Sequence, residues 1–154
     1  MEPRFLVDAM LGKLARWLVL LGYDAKFAGV DGRSDLELLR QARREERIFV
    51  TRDRGIPAAA GLRTVVLLAG DFESQLRELA KELSLKPDPA KRFSRCTDCN
   101  EPLETLAREE ALPLVPEKVR SLDTPFWRCR VCKKLFWNGS HTDRVIESIL
   151  RLGL

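Results

Sequence analysis

The chain has 154 residues, 45% of them hydrophobic and 32% charged, and carries a formal charge of +4. That length suits one domain, or one domain with a small module, and the apolar fraction suffices for a packed core under a solvated surface of mixed charge. No apolar run approaches the length of a bilayer span, and the start, Met1-Glu2-Pro3-Arg4, lacks the basic stretch and apolar core of a secretory signal. A cytoplasmic protein in a reducing setting is therefore expected, with no membrane partner.

Phe5 to Val7 reads as a first buried strand that ends on Asp8, and Met10 to Leu21 as a helix with Leu11, Leu14, Ala15, Leu18 and Leu21 on one face. Trp17, Val19 and Leu20 are more apolar surface than a half-solvated helix carries, and Gly22 suits a left-handed stop. Asp24 to Ala28 is a weaker strand. Ser34-Asp35-Leu36-Glu37 matches a capping box, opening a helix to about Glu46. Leu36, Leu39 and Ala42 face inward, with Arg40, Arg43, Arg44 and Arg47 as its basic outer side. Ile48 to Thr51 and Thr64 to Leu68 read as further strands, and Phe72 to Leu83 as a helix opened by Gly70-Asp71.

Strands alternating with helices imply parallel pairing and a three-layer α/β/α domain, over residues 1–87. Right-handed crossovers gather the strand carboxyl ends on one edge, where Asp8, Asp53 and Asp71 fall and which Asp35 reaches from its helix start. Hard cations such as Mg²⁺ or Mn²⁺ prefer carboxylate oxygens, and acids gathered at one edge repel unless a cation sits among them. Bound there, such a metal activates water for attack on phosphate. Each acid also has a local structural reading: Asp8 and Asp71 as helix caps, Asp35 as a first-turn acid.

Lys86-Pro87-Asp88-Pro89 reads as a linker to a second module, residues 88–154, which ends in a helix over Thr142 to Leu152. This module holds all four cysteines, as Cys96-Thr-Asp-Cys99 and Cys129-Arg-Val-Cys132. Two residues between cysteines let both sulfurs of a knuckle face one cation, and two knuckles complete a tetrahedral, structural Zn²⁺ site of a zinc ribbon. Four thiolates on Zn²⁺ would lower the net charge to about +2, so local charge clusters matter more than the total. Arg92, Arg95, Arg128, Arg130, Lys133 and Lys134 interleave with Phe126, Trp127, Phe136 and Trp137. That pattern suits a nucleic-acid strand, whose phosphates pair and whose bases stack. The same aromatics also suit the small core that a ribbon needs. His141 reads equally as a phosphate contact at a helix start or as a capping residue.

The run Phe5-Leu6-Val7-Asp8-x-Met10-Leu11-Gly12-x-Leu14-Ala15-Arg16-Trp17-Leu18-x-x-Leu21-Gly22-Tyr23-Asp24 resembles the start of the Mut-seven C-terminal RNase family, a branch of the PIN-like nucleases. Ser34-Asp35, Arg47 to Asp53, the cysteine ribbon and Trp137 to His141 continue the resemblance over nearly the whole chain. It implies a PIN-like three-layer α/β/α fold with a parallel sheet and a small zinc-ribbon module. It implies RNA cleavage at Asp8, Asp35 and Asp53, with Asp71 as a fourth acid and Mg²⁺ or Mn²⁺ as the catalytic metal. Lys13, Arg16, Arg52 and the ribbon's basic residues would hold RNA, and pairing of PIN domains implies a homodimer through the first helix.

The alternative is an RNA- or ribosome-binding adaptor that keeps the fold without catalysis. A receiver-like phosphate acceptor at Asp53 lacks a second acid beside Asp8 and a lysine after a late strand. A phosphatase of the Asp-x-Asp kind fails because Met10 holds the second acid's place.

Overall fold

The computed structural model describes residues 1–29 and 31–154, and they divide into two compact units, Met1–Phe93 and Ser94–Leu154. In the first unit, β1 (Arg4–Val7), β2 (Asp24–Phe27), β3 (Ile48–Thr51) and β4 (Thr64–Val66) pair in parallel in the order β2-β1-β3-β4. Its helices are α1 (Gly12–Leu20), α2 (Asp35–Arg44) and α3 (Phe72–Leu83).

The two central strands are apolar without a break because both of their faces are covered. Leu6 and Phe49 are partners in register and join Leu38, Leu39 and Ala42 of α2 in one cluster, closed by Ile56, Ala59 and Leu62. Strand alternation turns their neighbours Phe5, Val7 and Val50 to the other face, and all three are fully buried. There α1 packs on β1 and β2, with α3 beside it. The chain steps from β1 outward to β2, then back past β1 to β3 and β4, so right-handed crossovers put α1 and α2 on opposite faces. The α/β class with a parallel sheet is as expected.

Several boundaries differ from the expected ones for local reasons. A 3₁₀ turn, Ala9–Leu11, precedes α1, because the Asp8 side chain caps it from the Ala9 amide. Although Leu67 N still donates to Thr51 O, β4 stops at Val66. The next two amides, Leu68 N and Ala69 N, turn to the Glu78 carboxylate at 2.9–3.1 Å. Arg47, expected on the outer side of α2, is 4% exposed. Its guanidinium donates to Asp24 Oδ1 at 2.6 Å, to Glu45 Oε2 at 2.7 Å and to Phe5 O at 3.2 Å.

That network has a pH signature. Burial pushes the Glu45 carboxyl up, but hydrogen bonds from Lys26, Arg47 and Gln41 outweigh it and bring the pKa down to about 2. A carboxyl held below its unfolded value stabilises the fold above that value and stops doing so as pH falls through the folded pKa. Its contribution is therefore complete above the ordinary glutamate pKa of 4.5 and fades between there and about 2. With screening at this partly exposed ion pair it is worth about 1–2 kcal/mol. Glu45→Gln should flatten the acid limb of urea-measured stability in that window and leave the rest of the profile parallel.

The first helix covers part of its apolar excess within the chain. Val19 is buried, the Trp17 ring lies 5.1 Å from that of Phe72, and Phe93 N donates to Leu20 O. Gly22 ends α1 at φ +98°, and a Cβ there would stand 2.5 Å from Lys91 O. Residues 88–93, read from the sequence as the start of the second module, thus lie against the first unit. Gly22→Ala adds both a disfavoured backbone conformation and a clash, so it should lower stability by about 2–4 kcal/mol. Thermal or urea unfolding checks this.

In the second unit, β5 (Leu103–Leu106), β6 (Phe126–Cys129) and β7 (Leu135–Trp137) form an antiparallel sheet in that order. Two short helices, α4 (Arg108–Ala111) and α5 (Glu117–Arg120), fill the β5–β6 connection. With the sheet they build a second core of Leu106, Ala111, Val115, Val119 and Phe126, edged by Leu135 and Trp137. The final helix, α6, spans Ser140–Leu152 and ends on Gly153 at φ +74°. Among the described residues, no helix is long and apolar enough to cross a membrane.

Candidate functional site

In an open parallel sheet, ligands bind beyond the strand carboxyl ends where the winding reverses. Here that point lies between β1 and β3. Asp8 leaves the first of these strands and Asp53 follows the second, and their backbones are joined by the Asp8 N to Val50 O bond of 2.9 Å.

The two acids share a side-chain relay. Thr51 Oγ1 donates to Asp8 Oδ2 at 2.7 Å and accepts from Asp53 N at 3.0 Å. Asp8 Oδ1 accepts from Ala9 N at 2.6 Å, and Asp53 Oδ1 accepts from Gly55 N at 2.7 Å. Thr51 itself is fully buried. Its hydroxyl thus fixes the Asp8 rotamer and the turn that presents Asp53. A carboxylate has about four acceptor positions, so each acid keeps capacity for a cation after these bonds. Hard oxygen donors of this kind fit Mg²⁺ or Mn²⁺.

The other two acids stand differently. Asp35 is the first residue of α2 and is exposed, outside the Thr51 relay. The capping box beside it forms as expected, Ser34 N donating to Glu37 Oε2 at 2.8 Å. Asp71 is the N-cap of α3, its Oδ1 accepting from Ser74 N at 3.0 Å, and this bond holds its carboxyl below the usual range. Among the described residues, Asp8, Asp35 and Asp53 do not converge as a three-ligand group; the four cysteines do.

Of the expected phosphate contacts in this unit, Lys13 and Arg16 are exposed on α1. The half-buried Arg52 follows Thr51, and its Nε is buried without a hydrogen-bond partner, a cost that an anion would relieve. Arg92 is half-buried after the Pro89–Lys91 turn.

The metal site of the second unit rests on close sulfur geometry. The Sγ atoms of Cys96, Cys99, Cys129 and Cys132 all lie within 4.8 Å of one another, with Cys96 and Cys132 at 3.7 Å. Four thiolates around Zn²⁺ at about 2.3 Å stand about 3.8 Å apart, so the donor set fits that ion. Both knuckles turn alike: Asn100 N donates to Cys96 O and Lys133 N to Cys129 O, at φ +61° and +64° respectively. The crowding shows in the thiols. Cys99 is pushed up to about 12 by its hydrogen bond with Cys132, then by burial and by the charge of Cys96. At Cys129 burial pushes up, but amides of Cys132 and Val131 and sulfur contacts bring it down to about 7. A cation is the group that lets all four ionise together.

The ribbon's basic residues divide into engaged and exposed ones. Arg95 donates to Asn100 O at 2.7 Å, Arg128 pairs with Glu104 at 3.0 Å and Lys134 with Asp98 at 2.7 Å. Arg130 and Lys133 are exposed on the second knuckle, and His141 is exposed in the first turn of α6. Phe126 and Trp137 are register partners on the core face. Trp127 and Phe136 are partners one step along, and alternation turns them to the opposite face, both half-buried. Lys134 Nζ sits 5.8 Å from the Phe136 ring centre.

A family model described as Mut7-C RNAse domain matches residues 3–149. No curated protein and no solved structure matches the chain.

Proposed function

Since the chain belongs to the Mut7-C RNAse domain family, we propose that it is a divalent-metal-dependent ribonuclease of PIN-like fold, hydrolysing RNA phosphodiester bonds at Asp8 and Asp53. The observation that carries this reading is the relay at the winding reversal, which ties the Asp8 carboxylate to the Asp53 backbone amide through one buried threonine hydroxyl. Asp35, exposed at the start of α2 and outside this relay, would have to swing in to serve as a third ligand. These acids would hold Mg²⁺ or Mn²⁺, which when bound supplies an activated water and neutralises charge developing on the phosphate. The chain's own part is orientation. Thr51 sets the Asp8 oxygen, Gly55 N holds Asp53, and Arg52 and Lys13 offer positive charge to the substrate. The cysteine cluster holds Zn²⁺ with no open position, so it organises the second unit without taking part in chemistry. Arg130, Lys133, Lys134 and His141 then add RNA contacts. Cytoplasmic action on cellular RNA fits the thiolate site, which needs reduced cysteines.

The test is a cleavage panel of labelled single-stranded and duplex RNA and DNA with Mg²⁺, Mn²⁺ or chelator. RNA-selective cutting that stops with chelator is the expected result. The second reading, an RNA-binding adaptor without catalysis, draws on the local roles of Asp71 as a cap and Asp35 as a first-turn acid. RNA binding of steep salt dependence with no cutting under any divalent metal would establish it instead.

A further inference from the structure

The second half of α2 holds three cations within five residues and no acid: Arg40, Arg43 and Arg44, all exposed. Leu38, Leu39 and Ala42 of the same helix are turned into the core, so the three arginines stand on its outer side. Other cations of this unit meet carboxylates: Arg4 and Arg47 pair with Asp24, Lys26 with Glu45, Arg33 with Asp31 and Lys91 with Glu2. Among the described residues, no carboxylate pairs with the guanidinium groups of Arg40, Arg43 and Arg44. The acids near them in sequence are engaged elsewhere. Glu37 accepts from Ser34 N and Oγ at 2.8 Å, and its carboxyl lies below the ordinary value through those Ser34 bonds first, with the charge of Arg40 acting last. Glu45 is shared by Lys26, Arg47 and Gln41. Like charges three and four residues apart repel on a helix surface. The macrodipole favours cations in the last turn, which accounts for Arg43 and Arg44 but not for Arg40. An anion from outside the chain would relieve all three. The helix also begins where the acids are: its first residue is Asp35, and at a rise of about 1.5 Å per residue Arg40 to Arg44 follow roughly 8–14 Å along the axis.

We propose that the outer side of α2 is a track for the RNA backbone, with Arg40, Arg43 and Arg44 holding phosphates of the strand that runs on from the acidic edge. This rests on the ribonuclease reading and adds the path of the substrate to it. The guanidinium fork binds two phosphate oxygens at once, which suits arginine at all three positions. The occupant is a phosphodiester strand and not a lipid surface. A helix lying in a membrane interface turns an apolar face to it, whereas Leu38, Leu39 and Ala42 are in the core and only Leu36 of this helix's apolar residues is exposed. Phosphate contacts carry no sequence information, so the track adds affinity to every RNA alike.

The experiment uses the zinc-loaded full chain without added Mg²⁺ or Mn²⁺, so that binding is read without cleavage, and titrates labelled single-stranded RNA over a range of KCl concentrations. Each phosphate contact on a single strand contributes about −0.7 to the slope of log affinity against log salt. Arg40→Gln, Arg43→Gln and Arg44→Gln together should make that slope shallower by about 2. They should also weaken binding equally for RNAs of different sequence. Lysine at the three positions should keep the slope, because charge sets it. Arg77→Gln, Lys81→Gln and Lys86→Gln remove the same charge from α3 and just after it, and should leave the slope as in the parent. Arg40→Gln alone keeps the last-turn cations, so it should melt with the parent and still make the slope shallower by about 0.7. With Mn²⁺ added, the α2 triple variant should raise KM for RNA and retain kcat. The track is overturned if the α2 variants keep the parent's slope, or if the α3 variant loses as much of it. It is also overturned if anionic vesicles bind the parent and lose the α2 triple variant while RNA affinity stays intact, since the face then belongs to a membrane. A parent that binds no RNA at all removes the ribonuclease reading together with this one. A parent that cuts RNA with a KM indifferent to the three arginines removes only the track.

Discussion

Asp8→Asn should slow RNA cleavage by at least about 10²–10³-fold, the loss seen when one preorganised electrostatic group leaves an active site. The fold should remain. Asparagine retains an oxygen to accept from Ala9 N, and the Thr51 hydroxyl can rotate to accept from the new amide, since it donates and accepts equally well. What disappears is the negative charge and one hard oxygen for a divalent ion. Single-turnover rates with Mn²⁺, set beside unfolding midpoints within a few degrees of the parent, read the two effects separately. Asp71→Asn is the matched control. Asparagine caps helices as well as aspartate does, so the Ser74 bond survives and cleavage should change by less than about threefold. An Asp8→Asn protein that cuts as fast as its parent would remove Asp8 from the chemistry. An Asp71→Asn protein as impaired as Asp8→Asn would place the fourth acid within it.

The elements legible in the chain are those whose cause is local or whose burial is two-sided. β1 and β3 are short unbroken apolar runs because helices cover both faces, and such runs need no alternation to be read. Ser34 and Glu37 announce the start of α2 by their own spacing, and the cysteines announce their knuckles in the same way. Thr51 carried no such signal. A β-branched residue at a strand end reads as strand propensity, and its hydroxyl's destination depends on Asp8, far away in sequence and adjacent only after β1 and β3 pair. Arg47 misleads for the same reason: on its own helix it continues a basic face, while its partners are Asp24 and Phe5 O on other strands. The helices α4 and α5 have four residues each, too few for a 3.6-residue repeat to show. The acidic site was thus half legible: the strand ends gave Asp8 and Asp53, and the hydroxyl that joins them emerged only from the sheet order.

Loss of the thiolate metal should unfold the second unit and leave the first intact. Residues Ser94–Leu154 include a small apolar cluster around Phe126, with strands of three or four residues. A core of that size does not offset the entropy of ordering its chain, and a structural Zn²⁺ contributes about 10–16 kcal/mol of apparent binding free energy to folding in comparable small modules. Cys129→Ser places a poor ligand at a fully buried position on β6, the strand that also holds Phe126. The expected result is one zinc per parent chain, none retained by the variant, and loss of Trp127 and Trp137 fluorescence shifts while Trp17 keeps its own. Proteolysis should then remove residues after about Phe93 and leave the α/β unit. The metal pools are separable because the donors differ in kind. Thiolates select Zn²⁺, whereas carboxylates select Mg²⁺ or Mn²⁺. After chelation, Zn²⁺ alone should restore the second unit, and Mg²⁺ alone should restore cleavage only where that unit is already folded or is not needed for the RNA used. Restoration of both by Mg²⁺ would contradict a structural role for the cysteines. Restoration of cleavage by Zn²⁺ alone would move the reaction away from Asp8 and Asp53.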